Sequence, residues 1–137
     1  MGFLCGDIWM SMLNIAPDRK RARSILRTVA LLEKRIGLQE GGDMAGLIVA
    51  DYYEIAKELC TALLLLDGRK TLSHRELLDA VGVPLRKAER ELLHELRILR
   101  NRVMYDGFRV RPSYLRRKKR SFLDIVRKLK EHVGRRL

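Results

Sequence analysis

The sequence predicts an all-α protein, an antiparallel up-and-down helical bundle of four long helices plus one short helix. Three observations carry this. Apolar residues recur at spacings of three and four over long stretches, the repeat that lines one side of a helix. Short breaks holding Gly or Pro separate those stretches, and short connections favour antiparallel neighbours. No stretch shows the alternation expected of a half-buried strand.

Pro17-Asp18 opens the first helix, and Ala22, Ile25, Val29, Leu32 and Ile36 form one stripe along it. Gly37 is its expected end, and residues 38–43 read as a loop with a Gly pair. The second helix is expected over about residues 44–66, with Ile48, Tyr52, Ala56, Leu59, Leu63 and Leu66 as its inner face and Asp67-Gly68 as its stop. Asp51, Glu54, Glu58 and Thr61 share another side, an acidic stripe that is either solvated or receives Arg side chains from a neighbour. Ser73-His74-Arg75-Glu76 has capping-box spacing and starts a short helix ending near Gly82. His74 beside that cap reads as locally structural. Pro84 suits the first turn of the next helix, which reaches about Met104 with Leu85, Leu92 and Leu99 at heptad spacing and Leu96 and Val103 in the alternate slots. Phe108 to Pro112 reads as extended. The last helix buries Leu115, Phe122, Ile125 or Val126, Leu129 and Val133, with Arg116, Arg117, Lys118, Lys119 and Arg120 outward.

One domain over residues 17–137 follows from a length of 137 residues, too short for two independent cores. Residues 1–16 read as an N-terminal extension that a start at Met10 or Met12 would largely remove. They lack the basic leading region of a signal peptide, and Gly6, Asp7 and Asn14 interrupt their apolar run. No charge-free stretch reaches membrane-spanning length. Cys5 and Cys60 have no second pair and no clustered His, so the sequence supports neither a zinc site nor a disulfide framework, and it fits a cytoplasmic location. No cofactor or metal is expected. Charged residues reach 34%, while Asn14, Asn101 and Gln39 are the only side-chain amides, a thermophile-like bias.

The net charge of +12 is concentrated. From Arg109 onward twelve Lys/Arg face only Asp124 and Glu131, so ten of the twelve net charges lie there and the other 108 residues carry two. Such a field attracts polyanions, with nucleic acid as the first expectation and an acidic protein as the alternative. No Gly-rich phosphate loop, paired metal-ligand motif or nucleophile elbow is present. What remains is the end of the fourth long stretch. Asn101 and Tyr105 are four apart and face one groove, and Arg100 reaches it from the edge. Arg offers a planar fork for phosphate, Asn orients by hydrogen bonding, and Tyr stacks or donates. On chemistry alone, this set is equally a polar end to a helix.

The segment Leu96-Arg97-Ile98-Leu99-Arg100-Asn101-Arg102-Val103-Met104-Tyr105-Asp106-Gly107 resembles the signature of HEPN domains, an Arg followed by a polar residue and usually by a His four to six residues beyond the Arg. Asp51 to Leu59 and Thr61 to Leu78 also resemble small archaeal members, so the likeness covers most of the chain from about Asn14. The resemblance implies a bundle that dimerises with two Arg motifs in one cleft, often a metal-independent ribonuclease paired with a nucleotidyltransferase antitoxin. By position, Arg100 would hold the scissile phosphate and Asn101 its surroundings, with Tyr105 where the family places His. Arg97, Arg102, Arg116, Arg117, Lys118, Lys119 and Arg120 are the expected RNA or nucleotide contacts. The Tyr matters, because a phenol with a reference pKa of about 10 is a poor base at neutral pH. Two rival classes are a helix-turn-helix DNA binder over Leu77, Leu78, Val81, Gly82, Val83 and Ala88, and a non-catalytic adaptor for a partner enzyme.

Overall fold

In the computed structural model, which describes residues 12–39, 42–80 and 85–137, the helices follow the apolar stripes closely. The first, α1 (Arg19–Leu38), starts where the Asp18 side chain accepts a hydrogen bond from Arg21 N at 2.9 Å. Ala22, Ile25 and Val29 are buried, while Leu32 and Ile36 are half-buried. Gly37 does not end this helix. It is an interior residue of the last turn, and the left-handed turn is made by Gly42 at φ 75° instead.

A 3₁₀ turn over Gly42–Met44 leads into α2 (Ala45–Leu66). The expected inner face is buried as read, but so is most of the rest: sixteen of its 22 residues are buried. The reason is positional. Helices from three sides pack on α2, which makes it the axis of the bundle rather than an amphipathic wall. Asp67-Gly68 stops it, with Gly68 at φ 72° and so close to the chain that an added Cβ would lie 2.6 Å from the Ile15 carbonyl oxygen.

That approach belongs to a small antiparallel pairing the sequence did not predict. Strand β1 (Leu13–Asn14) pairs with β2 (Arg69–Lys70), Leu13 opposite Lys70 and Asn14 opposite Arg69. Two residues per strand are too few to show a period of two. Backbone bonds Ile15 N to Gly68 O (2.8 Å) and Asp18 N to Leu65 O (3.0 Å) extend it.

Ser73 Oγ accepts from Glu76 N at 3.2 Å and starts α3 (His74–Ala80). Residues 81–84 lie outside the described residues, and with them the expected roles of Gly82 and Pro84. The next helix, α4 (Lys87–Asp106), begins at a box in which Glu89 accepts from Arg86 N at 2.9 Å. Its buried residues are Glu89, Leu93 and Leu96, with Leu85 buried just ahead of the helix, whereas Leu92, Leu99 and Val103 are half-buried. Spacings of four and three put these on one side of the helix, against α2, and the half-buried Leu92 and Leu99 are not the heptad seam expected from Leu85, Leu92 and Leu99. Gly107 at φ 66° closes α4. Pro112 is the first residue of α5 (Pro112–Arg136) rather than the end of a linker; Arg111, at ψ 138°, is the extended residue before it. Leu115, Phe122, Ile125, Val126, Leu129 and Val133 are all buried.

The long helices alternate in direction. The chain entering α1 meets the end of α2 through Asp18 and Leu65. Gly46 near the start of α2 packs against Val103 near the end of α4. Arg136 at the end of α5 reaches Asp67 beyond α2 at 2.5 Å. The protein is an all-α helical bundle, four long helices and one short one among the described residues.

Candidate functional site

The acidic stripe of α2 receives arginines from both flanking helices. Arg35 of α1 makes two bonds to Asp51, Nη2 to Oδ1 at 2.7 Å and Nε to Oδ2 at 3.0 Å, and Gln39 Nε2 adds a third at 3.2 Å. Asp51 is buried, and its carboxylate holds the Arg35 guanidinium above its ordinary pKa, first by hydrogen bonding and then by charge. Arg100 of α4 donates from Nη2 to Glu54 Oε1 at 3.3 Å and from Nη1 to Asn101 Oδ1 at 3.1 Å. Lys57 donates to Glu54 Oε2 at 2.7 Å and sits 3.5 Å from Glu58.

These residues line an open groove of about 620 Å³ between α1 and α4 with α2 as its floor. Arg100 and Met104 form its α4 side, and Leu32 and Leu47 contribute apolar surface. Its acids and cations match in number: Asp51, Glu54 and Glu58 against Arg35, Lys57 and Arg100. A neutral lining of this kind does not attract a polyanion by field; it orients one guanidinium at a fixed place.

The sequence-predicted residues are distributed as follows. Arg100 is in the groove, with its side chain 22% exposed. Asn101 is half-buried and acts on Arg100 rather than lining the groove. Tyr105 points outward at 75% exposure, its ring centroid 5.9 Å from the Arg100 guanidinium. Arg102 lies over the Phe108 ring at 4.0 Å. Arg97 is half-buried, and its Nε is buried with no hydrogen-bond partner among the described residues.

Arg116, Arg117, Lys118, Lys119 and Arg120 do not join this groove. The first half of α5 meets α2 through Phe122 and Tyr52, whose ring centroids are 5.3 Å apart. Tyr52 lies roughly 160° around α2 from Glu54 by the 100° per residue of a helix, so the two cationic features face opposite sides of the bundle. Among the described residues none of these five cations has an acidic partner; Arg117 lies 5.9 Å from the Tyr114 ring. A second cationic run went unread in the sequence. Arg19, Lys20, Arg21, Arg23 and Arg27 hold five charges with no acid between them, masked there by acids elsewhere in the near-neutral remainder.

His74 also differs from its sequence reading. Its Nδ1 lies 3.2 Å from the Tyr53 hydroxyl, across from the Ser73 cap that suggested a purely local role. Burial lowers its pKa first, then the charges of Lys57, Arg100 and Arg97, with Glu54 opposing them. Tyr53 is pushed up to about 12, mainly by its own burial, so it stays a neutral phenol. The signal for this grouping was present as Tyr53-Glu54 and Lys57 on one helix, but nothing in the chain order links it to His74.

Cys60 is buried, its thiol pushed up to about 12 by that burial, and it is a core residue. Among the described residues no three His, Cys, Asp or Glu side chains come together as a metal-holding group, and no helix is long and apolar enough to cross a membrane. Comparison of the chain with protein-family models, with curated proteins and with solved structures finds no match in any of the three.

Proposed function

We propose that this chain is a HEPN-type RNA-binding protein, in which Arg100 grips an RNA phosphate and the Arg116–Arg120 cations of α5, which meet no acid among the described residues, supply the long-range attraction. One observation carries the reading: Arg100 is held from two sides, by Asn101 and Glu54, on the wall of an open groove, with Tyr105 beside it. A guanidinium fixed in this way has already lost the rotamer freedom that phosphate binding would otherwise remove. The reading favours binding over cleavage. Tyr105 supplies a stacking face rather than a group that titrates near neutrality. The exposed Met104 and Leu47 at the groove are suited to a second copy of the chain, which the resemblance to homodimeric HEPN proteins calls for. The same resemblance makes a nucleotidyltransferase the proposed protein partner in a toxin–antitoxin pair.

The test is fluorescence anisotropy with single-stranded RNA and with duplex DNA over a range of salt. Arg100→Ala should weaken RNA binding by about tenfold, the loss of one charge-assisted contact. Equal affinity of Arg100→Ala and wild type at every salt concentration would remove Arg100 from the site. A preference for one duplex DNA sequence would replace the reading with a helix-turn-helix function.

A further inference from the structure

The end of the bundle where the turn into α2 meets the link between α4 and α5 holds a second concavity, of about 330 Å³. Its walls are apolar: Leu47 from α2, Val103 from α4, and Phe108 and Val110 from the link. Arg109 and Arg111 line it beside them. Both are exposed and neither meets an acid among the described residues, while Asp43 is the acid that lines the same space. Gly46 keeps the α2 side clear. A Cβ there would stand 3.4 Å from Val103 Cγ1 and 3.8 Å from Val110 Cγ2, in contact with two of the walls. The Arg102 guanidinium covers one face of the Phe108 ring at 4.0 Å, yet Phe108 is still 36% exposed. Leu47 also lines the Arg100 groove, so the two concavities share a ridge. On the other side, Pro112 lines the space and opens α5, and the Arg116–Arg120 run begins one turn later.

We propose that this concavity takes one unpaired base of the RNA strand, with the phosphates on either side of that base lying toward Arg100 and toward Arg109 and Arg111. The inference rests on the RNA-binding reading above and adds to it the route by which one strand meets both cationic features. Those features face opposite sides of the bundle, so a strand that touches both must cross an edge between them. A base has flat apolar faces and leaves water for an aromatic-lined cavity, while its phosphates stay with the cations at the rim. Arg109 and Arg111 outnumber Asp43 there, which suits a polyanion. The volume lies at the lower end of the about 300–1,000 Å³ of small-ligand pockets, room for a base and not for a duplex. A base stacked inside a duplex has no face to offer, so the concavity selects single strands.

Octauridylate and its abasic counterpart, with hydrogen in place of every base, are the probes, since they carry the same phosphates. Wild type should bind octauridylate about tenfold more tightly than the abasic strand. Phe108→Ala should cut that ratio to about a third, whereas Arg100→Ala should weaken both strands alike and keep the ratio. Photocrosslinking of the wild-type protein gives a second readout that needs no variant. With 4-thiouridine placed at each position of the octamer in turn, an internal position should crosslink to Phe108. Uridine 5′-monophosphate separates a strand from a free nucleotide: at the concentration of the octamer it should not displace it. An unchanged ratio in Phe108→Ala, a crosslink at Tyr105 alone, or displacement by the mononucleotide overturns the proposal even where Arg100→Ala still weakens binding. Wild-type affinity in Arg100→Ala removes the RNA-binding reading and the inference with it.

Discussion

The two halves of α5 carry the same residue types and do different work. Toward its start, Arg116, Arg117, Lys118, Lys119 and Arg120 make no ion pair among the described residues. Toward its end four of five cations meet acids, while Arg135 bonds only the Glu131 carbonyl. Lys128 donates to both carboxylate oxygens of Glu89 at 2.9 Å, Lys130 reaches Glu33 at 3.0 Å, Arg136 reaches Asp67 at 2.5 Å, and Arg127 sits within 3.5 Å of Glu131. Counted in the sequence, both halves are simply basic. In the fold, one half is a free field and the other ties α5 to α4, α1 and the turn after α2. The same distinction separates the first half of α5 from Arg100, whose charge is matched within its own groove.

The largest effect should come from emptying the free half. Replacing Arg116, Arg117, Lys119 and Arg120 with Ala should weaken single-stranded RNA binding about fiftyfold near 0.1 M salt and flatten the log–log salt slope by about three. The thermal midpoint of that variant should stay within about 2 °C of wild type, since exposed unpaired cations contribute little to stability. A large fall in midpoint would mean that these residues are structural after all.

Lys128→Met sharpens the comparison from the other side. Glu89 is buried, and burial alone would raise its pKa; the Arg86 N–H and then Lys128 outweigh that and hold it below the ordinary carboxylate value. Removing Lys128 should cost about 2 kcal/mol in a denaturant titration at neutral pH while leaving RNA affinity unchanged. The pH dependence has a definite sign. A carboxylate with a depressed folded pKa adds stability above its unfolded pKa and loses it as pH falls through the folded value. Acid unfolding of Lys128→Met should therefore begin at higher pH than in wild type.

The smallest effect is expected at Glu54. Glu54→Gln leaves a hydrogen-bond acceptor for Arg100 but removes the opposing charge, so RNA affinity should rise about threefold at low salt. A fall would show that Glu54 is needed to aim the guanidinium, and would set aiming above neutralisation.

Periodicity and punctuation were enough to read which stretches are helical and which residues enter the core of α1 and α5. The stripes at Ala22, Ile25 and Val29 and at Leu115, Phe122, Leu129 and Val133 are local patterns, fixed by 3.6 residues per turn. The Arg100-Asn101 pair was legible for the same reason, since adjacent residues at a helix end need no partner to be found. Side-chain packing between helices decided the rest. It made α2 the axis, so a helix with one apparent inner face is buried nearly all round. It turned Tyr105 outward and placed Arg100 in the groove. It brought Tyr53 to His74 across 21 positions and put the Arg116–Arg120 run on the far side of the bundle. Charge is additive along a chain, but its availability depends on which acids come within about 4 Å, and that distance exists only after the helices have packed.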